Sequence, residues 1–243
     1  LLDSLNQLEN KDDAHELFWL PEFLPASIRL IISTTPGNIA EVLKKRNWEH
    51  YTVEGLDPKE REQVIDKYLA QYTKKLDKKH ITTIVASERT RNPLYLKVLL
   101  DELRVFGVFE KLSERIQHYL MAENTEKLYE LILVRLEEDY EQNRPFLVRD
   151  TLSYIWVSRH GLSENELLDL LGSDGLPLPR AVWAPLFLAI EETLVNRLGI
   201  LGFHNEYLRN AVFNRYIKAY ENVQELHFHI GQYFFAQDND ERK

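Results

Sequence analysis

The sequence contains no cysteine, a single methionine (Met121), and only nine glycines and nine prolines among 243 residues. Without thiols there is no disulfide framework and no thiolate zinc site, a usage that fits a reducing, cytoplasmic setting. Sparse glycine and proline exclude collagen-like and low-complexity chains and leave long stretches free for helix. Apolar runs such as residues 183–190 fall far short of the ~20 residues a bilayer span requires, and no signal peptide is visible. A basic excess is missing too. Lys+Arg number 30 against 39 Asp+Glu, a net charge of −9, so nucleic acid is not an expected partner. Two further absences are an initial methionine and a phosphate-binding loop. The chain opens on Leu1-Leu2-Asp3 without a methionine, which reads as an internal piece of something longer. No G-x-x-x-x-G-K-[ST] phosphate loop occurs anywhere in it.

What is present is enough apolar side chain for a sizeable core, 44% with 11% aromatics. Residues 1–54 follow an α/β rhythm. Leu1-Leu2-Asp3 reads as the end of a buried strand and residues 28–33 as a second, bounded by Pro25 and Pro36-Gly37; residues 51–53 read as a third. Helices are expected between them, over 14–20 and 38–45. From residue 55 the pattern turns helical. Asp57-Pro58-Lys59-Glu60, Asn92-Pro93 and Asn124 are helix starts, and the stripe Val64, Ile65, Tyr68, Leu69, Tyr72, Leu76 gives the first helix one apolar face. A small bundle is expected over 55–143. From 144, three helices (146–157, 163–171 and 179–192) precede a hairpin of 193–197 with 200–203 across Leu198-Gly199. That order is the order of a winged helix. A helix from Asn205 to Tyr216 follows, and another over 221–237. The expected divisions are 1–54, 55–143, 144–220 and 221–243. The fold class is mainly α, with an incomplete α/β core at its start.

Several residues stand where chemistry occurs. Asp3 ends a buried strand, the end at which such sheets bind ligands, although a turn aspartate fits the spacing equally well. Ser33 and Thr34 end the next strand, where hydroxyls bond a phosphate or simply satisfy backbone groups. Pro93 opens a helix. His204 follows the hairpin, immediately before a helix start, where it either donates to an anion or serves as a capping residue. The basic run Lys74, Lys75, Lys78, Lys79 reads as a solvated face. His227 and His229 are two apart on a helix and point apart, a poor metal pair. Residues 145–221 hold seven Lys/Arg against nine Asp/Glu, a weak electrostatic footprint for a winged helix on DNA.

Taken in order, these segments resemble the NACHT-type modules of the STAND P-loop NTPases, in the branch that holds nephrocystin and the telomerase-associated and tetratricopeptide-type relatives. Leu-Leu-Asp3-Ser-Leu-Asn-Gln-Leu-Glu9 is similar to a Walker B strand and the turn after it. Trp19-Leu-Pro21, Leu24-Pro25 and Ile28-Arg-Leu-Ile-Ile-Ser-Thr34 resemble the approach to the sensor strand. Asn92-Pro93-Leu-Tyr-Leu-Lys97 resembles the helical-domain motif whose proline lies near the adenine. Phe203-His204-Asn-Glu-Tyr-Leu-Arg209 and its continuation to Tyr216 resemble the winged-helix segment whose histidine reaches nucleotide phosphates. Residues 223–234 resemble the start of a repeat array. The resemblance implies the C-terminal half of a signalling switch that takes ATP or ADP with Mg²⁺, the phosphate loop lying outside this chain. Asp3 would orient Mg²⁺, Glu9 would be the nearest acid to activate water, Ser33 or Thr34 would read the terminal phosphate, and His204 would hold the closed state. Protein partners, self-association and a cytoplasmic or ciliary site are implied with it. The Ser4-Leu5-Asn6-Gln7 turn departs from the acid-rich family pattern. That departure favours a second reading, a scaffold without turnover.

Overall fold

In a computed structural model of the chain, residues 1–107, 109–218 and 223–240 are described, and they divide into two units, Leu1–Glu54 and Gly55–Lys243.

The first unit has little regular structure. Leu2 and Ile32 form a parallel bridge. The Leu2 N–H donates to the Ile31 carbonyl (2.9 Å), the Ser33 N–H to the Leu2 carbonyl (3.0 Å), and the Leu5 N–H to the Ser33 carbonyl (2.9 Å). A 3₁₀ turn at Leu5–Gln7, another at Ala14–Glu16, and the helix α1 (Asn38–Lys44) complete it. Leu5, Leu17, Leu20, Ile39 and Leu43 are its buried core. The strand–helix–strand–helix–strand expectation is therefore corrected in two places. Residues 14–20 are not a helix: Leu17 adopts a left-handed φ of 57° that ends the turn. The Arg46 guanidinium takes the backbone carbonyls of Leu17 (2.8 Å), Leu20 (2.9 Å) and Pro21 (3.2 Å). Residues 51–53 pair with no strand, and Tyr51 and Val53 are exposed. β-branched and aromatic composition makes a strand only where a neighbouring strand supplies hydrogen bonds and a packed face.

The second unit is mainly helical, and most of its helices carry their own start signal. Asp57 caps α2 (Pro58–Ala70) through a full capping box with Glu60. Asn92 caps α4 (Pro93–Val105), Asn124 caps α6 (Thr125–Tyr140), and Ser163 with Glu166 boxes α8 (Glu164–Leu170). Each such cap contributes about 1 kcal/mol. The expected stripe running to Leu76 is broken at Thr73, whose φ is 56°. Asp77 then caps a separate helix, α3 (Lys78–Ala86), so Lys78 and Lys79 belong to a new element. A fifth bundle helix, α5 (Leu112–Leu120), has no side-chain cap and no sequence expectation preceded it. α4 packs against α2, α5 and α6, and α6 packs in turn against α7 (Leu147–Val157) and α10 (Glu206–Val212).

The chain order after α7 is β1 (Leu162–Ser163), α8, α9 (Arg180–Ile190), β2 (Leu194–Arg197) and β3 (Ile200–Phe203). The three strands form an antiparallel sheet in the order β1-β3-β2, with Leu194 opposite Phe203 and Arg197 opposite Ile200. The two-residue connection puts both Leu198 (φ 54°) and Gly199 (φ 88°) in the left-handed region, the geometry whose twist matches the flanking strands. Gly161 precedes β1 at φ 87°, where an added Cβ would lie 2.3 Å from the Leu201 carbonyl oxygen; only glycine lets β1 reach β3. After α10 the helix widens into a π turn, Phe213–Ile217, so the helix expected to run to residue 216 changes its winding at Phe213. α11 (Val223–Asp240) packs on α7 and α8. The expected boundary at 220/221 lies outside the described residues. No described helix is long and apolar enough to cross a membrane.

Candidate functional site

The Leu2–Ile32 bridge sets Asp3 beside Ser33, thirty residues apart in sequence. The Ser33 hydroxyl donates to the Asp3 carboxylate and accepts the Ser4 N–H at 2.9 Å. Ser4 turns the chain with a left-handed φ of 56°, and the Asn6 side-chain carbonyl accepts the Thr35 N–H at 3.4 Å. Acid, hydroxyl and amide thus gather where both extended segments end, and Asp3 and Ser33 are exposed there. Thr34 is half-buried, its hydroxyl donating to the Thr35 carbonyl at 3.3 Å. Glu9 is not drawn into this cluster: it pairs with Lys11 at 3.1 Å, both side chains open to solvent. Among the described residues no group of three or more His, Cys, Asp or Glu could enclose a metal. Asp3 and Ser33 do supply the hard oxygen donors that suit Mg²⁺, an ion that usually takes one or two carboxylates and leaves its other positions to water and phosphate.

In the second unit Pro93 is the exposed first residue of α4, preceded by Asn92, whose side chain accepts the Leu94 and Tyr95 N–H groups. His204 is exposed between β3 and α10, and its N–H donates to the Thr193 carbonyl at 3.2 Å. The neighbouring Asn205 caps α10 through the Leu208 N–H and donates to the Tyr129 hydroxyl at 3.0 Å. Each of these candidates therefore stands at the start of its own helix.

The strongest electrostatics lie elsewhere, on residues that sequence reasoning passed over. Arg135 of α6 donates from Nε and Nη2 to both oxygens of the buried Glu102 of α4 (2.7 and 3.0 Å), and from Nη1 to Asp139 (2.8 Å). Tyr119 of α5 donates to the same Glu102 at 2.7 Å. Burial works against the Arg135 cation, but the Glu102 charge and hydrogen bonds outweigh it and hold the proton more firmly than usual. Burial, then the Glu102 charge, raise the Tyr119 hydroxyl, which stays a donor. Tyr95 is pushed up to about 12, chiefly by burial, and bonds the Tyr119 and Ala122 carbonyls (2.8 and 3.1 Å). A second tie joins α6 to the π turn. Glu137 accepts from Arg215 and Tyr216, and Glu126 accepts from Asn214. The legible signal was Glu102 itself, an acid between the apolar positions Leu99, Leu100 and Leu103 of one helix.

The architecture is that of a mainly helical module with a small antiparallel sheet, and the sequences similar to it place such a module within much longer proteins. The chain belongs to the nephrocystin 3 helical-domain family, whose model ("Nephrocystin 3, helical domain") matches residues 63–204. It is 34% identical over 245 residues to a TPR repeat-containing protein of Dictyostelium discoideum, covering 100% of this chain and 15% of that protein. Identity is 26% over 261 residues to NACHT and WD repeat domain-containing protein 2 of Mus musculus (97% and 15%). It is 25% over 254 residues to Nephrocystin-3 of Xenopus laevis (100% and 18%). The chain thus spans less than a fifth of the length of these relatives. No solved structure matches it. The NACHT-type, nephrocystin-like resemblance carried by the order of its motifs holds.

Proposed function

We propose that this chain is the C-terminal half of a nucleotide-dependent switch in a NACHT-type signalling protein that regulates assembly or scaffolding. The observation that carries the reading is the Asp3–Ser33 hydrogen bond at the shared end of two parallel segments. A carboxylate and a hydroxyl side by side at that end of a parallel pair suit a cation and a phosphate. In this reading Asp3 holds Mg²⁺ of the bound ATP or ADP, and Ser33 or Thr34 bonds the terminal phosphate. Pro93 lies near the base and His204 donates to a phosphate. Mg²⁺, when bound, would neutralise phosphate charge. The order α7-β1-α8-α9-β2-β3 supports a winged helix over 144–220, following a helical domain over 55–143 and preceding a repeat region from 221. Nucleotides that bind two arrangements of these domains unequally would shift the population between them. Protein partners, self-association, and a cytoplasmic or ciliary site belong to the same reading, which the likeness to nephrocystin and TPR proteins supports.

A second reading, a scaffold that binds partners without turnover, draws support from Glu9. Its pairing with Lys11 and its exposure leave it poorly prepared to activate water. One set of measurements separates the readings. The longer parent should bind ADP in a Mg²⁺-dependent way that Asp3→Asn abolishes, and His204→Ala should speed ADP release about tenfold or more, the loss of one charge-assisted hydrogen bond. A parent that binds neither nucleotide ends the switch reading. Equal phosphate release from wild type and Asp3→Asn selects the scaffold.

A further inference from the structure

An open groove of about 550 Å³ lies along α5 and α6, within the size range of ligand sites. Its lining follows helical spacing on both sides. Leu131, Val134, Arg135 and Glu138 of α6 stand at i, i+3, i+4 and i+7, facing a run on the α5 side from Lys111 to Met121. The ten steps from Lys111 to Met121 correspond to a groove about 15 Å long. Its apolar floor includes Phe106, Leu131 and Val134, and at its edge Met121, the chain's lone methionine, is 75% exposed.

The charges along the groove are of two kinds. Arg135 is satisfied by Glu102 and Asp139. Arg115 is not: its guanidinium lies 5.0 Å from the Phe106 ring centroid and 5.7 Å from that of Tyr119, and no carboxylate or carbonyl among the described residues accepts from it. Contact with two rings restricts the movement of its guanidinium, so an arriving carboxylate meets donors already held at the groove at a reduced entropic cost. The groove is too open to enclose a small molecule, and its two helical faces match the recognition of a third helix by i, i+3, i+4 and i+7 anchors.

We propose that the α5–α6 groove is a docking site for an amphipathic helix of a partner protein. The partner lays an apolar stripe on Phe106, Leu131, Val134 and Met121 and presents a carboxylate to Arg115. In a chain of net charge −9 acidic partners are generally repelled, so Arg115 and Lys111 mark where one is admitted. Glu114 and Glu138, which line the groove and have no cationic partner among the described residues, restrict the partner's charge to that single contact, since further acids would face them. The site needs no nucleotide and stands whether or not the switch reading does.

The test is selection of 16-residue peptides displayed on phage against the 243-residue chain, without nucleotide, followed by titration of the enriched peptides in fluorescein-labelled form. Enriched sequences are expected to share a helical apolar stripe with one Asp or Glu. Arg115→Glu and Met121→Glu should each weaken binding at least tenfold, and Phe228→Glu, an exposed site on α11, should not. Replacing the peptide carboxylate by lysine should restore binding to Arg115→Glu. Thermal melts check that each variant is folded, and Lys111→Glu at an exposed position serves if Arg115→Glu is not. Binding that survives both substitutions overturns the proposal, as does equal enrichment of acid-free stripes. So does displacement of the peptides by octanoate alone, which would make the occupant a small carboxylate. Dimers of the free chain dissolved by the same substitutions would make it a second copy, and would overturn the proposal as well.

Discussion

Residues 1–54 and 55–243 are held together in different ways. In the second unit, helices satisfy their own backbone, and carboxylate–guanidinium pairs such as Glu102–Arg135 and Glu137–Arg215 tie one helix to another. In the first, an irregular backbone is stapled by one cation: Arg46 reaches three carbonyls and stacks 5.0 Å from the Trp48 ring. Helices make most of their hydrogen bonds locally, whereas extended segments depend on what lies beside them. The contrast shows in the exposed apolar side chains of the first unit, where Phe18, Phe23, Tyr51 and Val53 are each at least 84% exposed.

The comparison can be broken most forcefully at Glu102. Glu102→Ala leaves Arg135 largely buried without its main partner and should cost about 3–5 kcal/mol of unfolding free energy in urea. Adding Arg135→Met should recover much of that loss, because the stranded charge is gone. If the single and double variants are equally unstable, the pair is not what holds α4 to α6. The corresponding change in the first unit is Arg46→Ala. Its half-exposed guanidinium should contribute about 2 kcal/mol, and the loss should appear as faster amide exchange confined to about residues 14–25. Arg46→Lys should rescue little, since a single ammonium cannot reproduce the fork. Amide exchange that accelerates equally in α4 and α6 would erase the distinction between the two modes.

The smallest effect sharpens the tie between α6 and the π turn. Burial raises the Glu137 carboxyl, but hydrogen bonds from Arg215 and Tyr216 outweigh it, and the group titrates below its ordinary value of 4.5. A depressed carboxyl contributes stability above its unfolded value, and that stability is lost as pH falls through the lowered folded value. Wild type should therefore lose stability below about pH 4.5 more steeply than Glu137→Gln, which at neutral pH should be weaker by about 1 kcal/mol. Urea titrations from pH 3 to pH 7 measure both, and parallel curves would remove Glu137 from the account.

Much of the second unit was legible because cap chemistry is local. Asp57-Pro58, Asn92-Pro93, Asn124 and the Ser163–Glu166 box each open a helix where the residues say so, and the hairpin turned at Leu198-Gly199. α3 was hidden because the apolar stripe continues past the Thr73 break, and α5 because it starts without a capping side chain. Residues 14–20 and 51–53 carried helix-like and strand-like composition, and both lost it to context. Of the candidate site, the types of residue could be named in advance, but only the parallel bridge sets Asp3 against Ser33, and only the Lys11 pair takes Glu9 elsewhere.

The sequence by itself determined where helices begin, which faces are apolar, and the family to which the chain belongs, since these rest on spacing and on side chains acting on their own backbone. The tertiary structure alone decided the Glu102–Arg135–Tyr119 network, the tie between Glu137 and the π turn, and the cation-edged groove along α5. Each joins residues 17 to 79 positions apart, or opens between two helices. No local pattern encodes such meetings, because a charged pair forms only after packing has removed the water that would otherwise satisfy each partner alone.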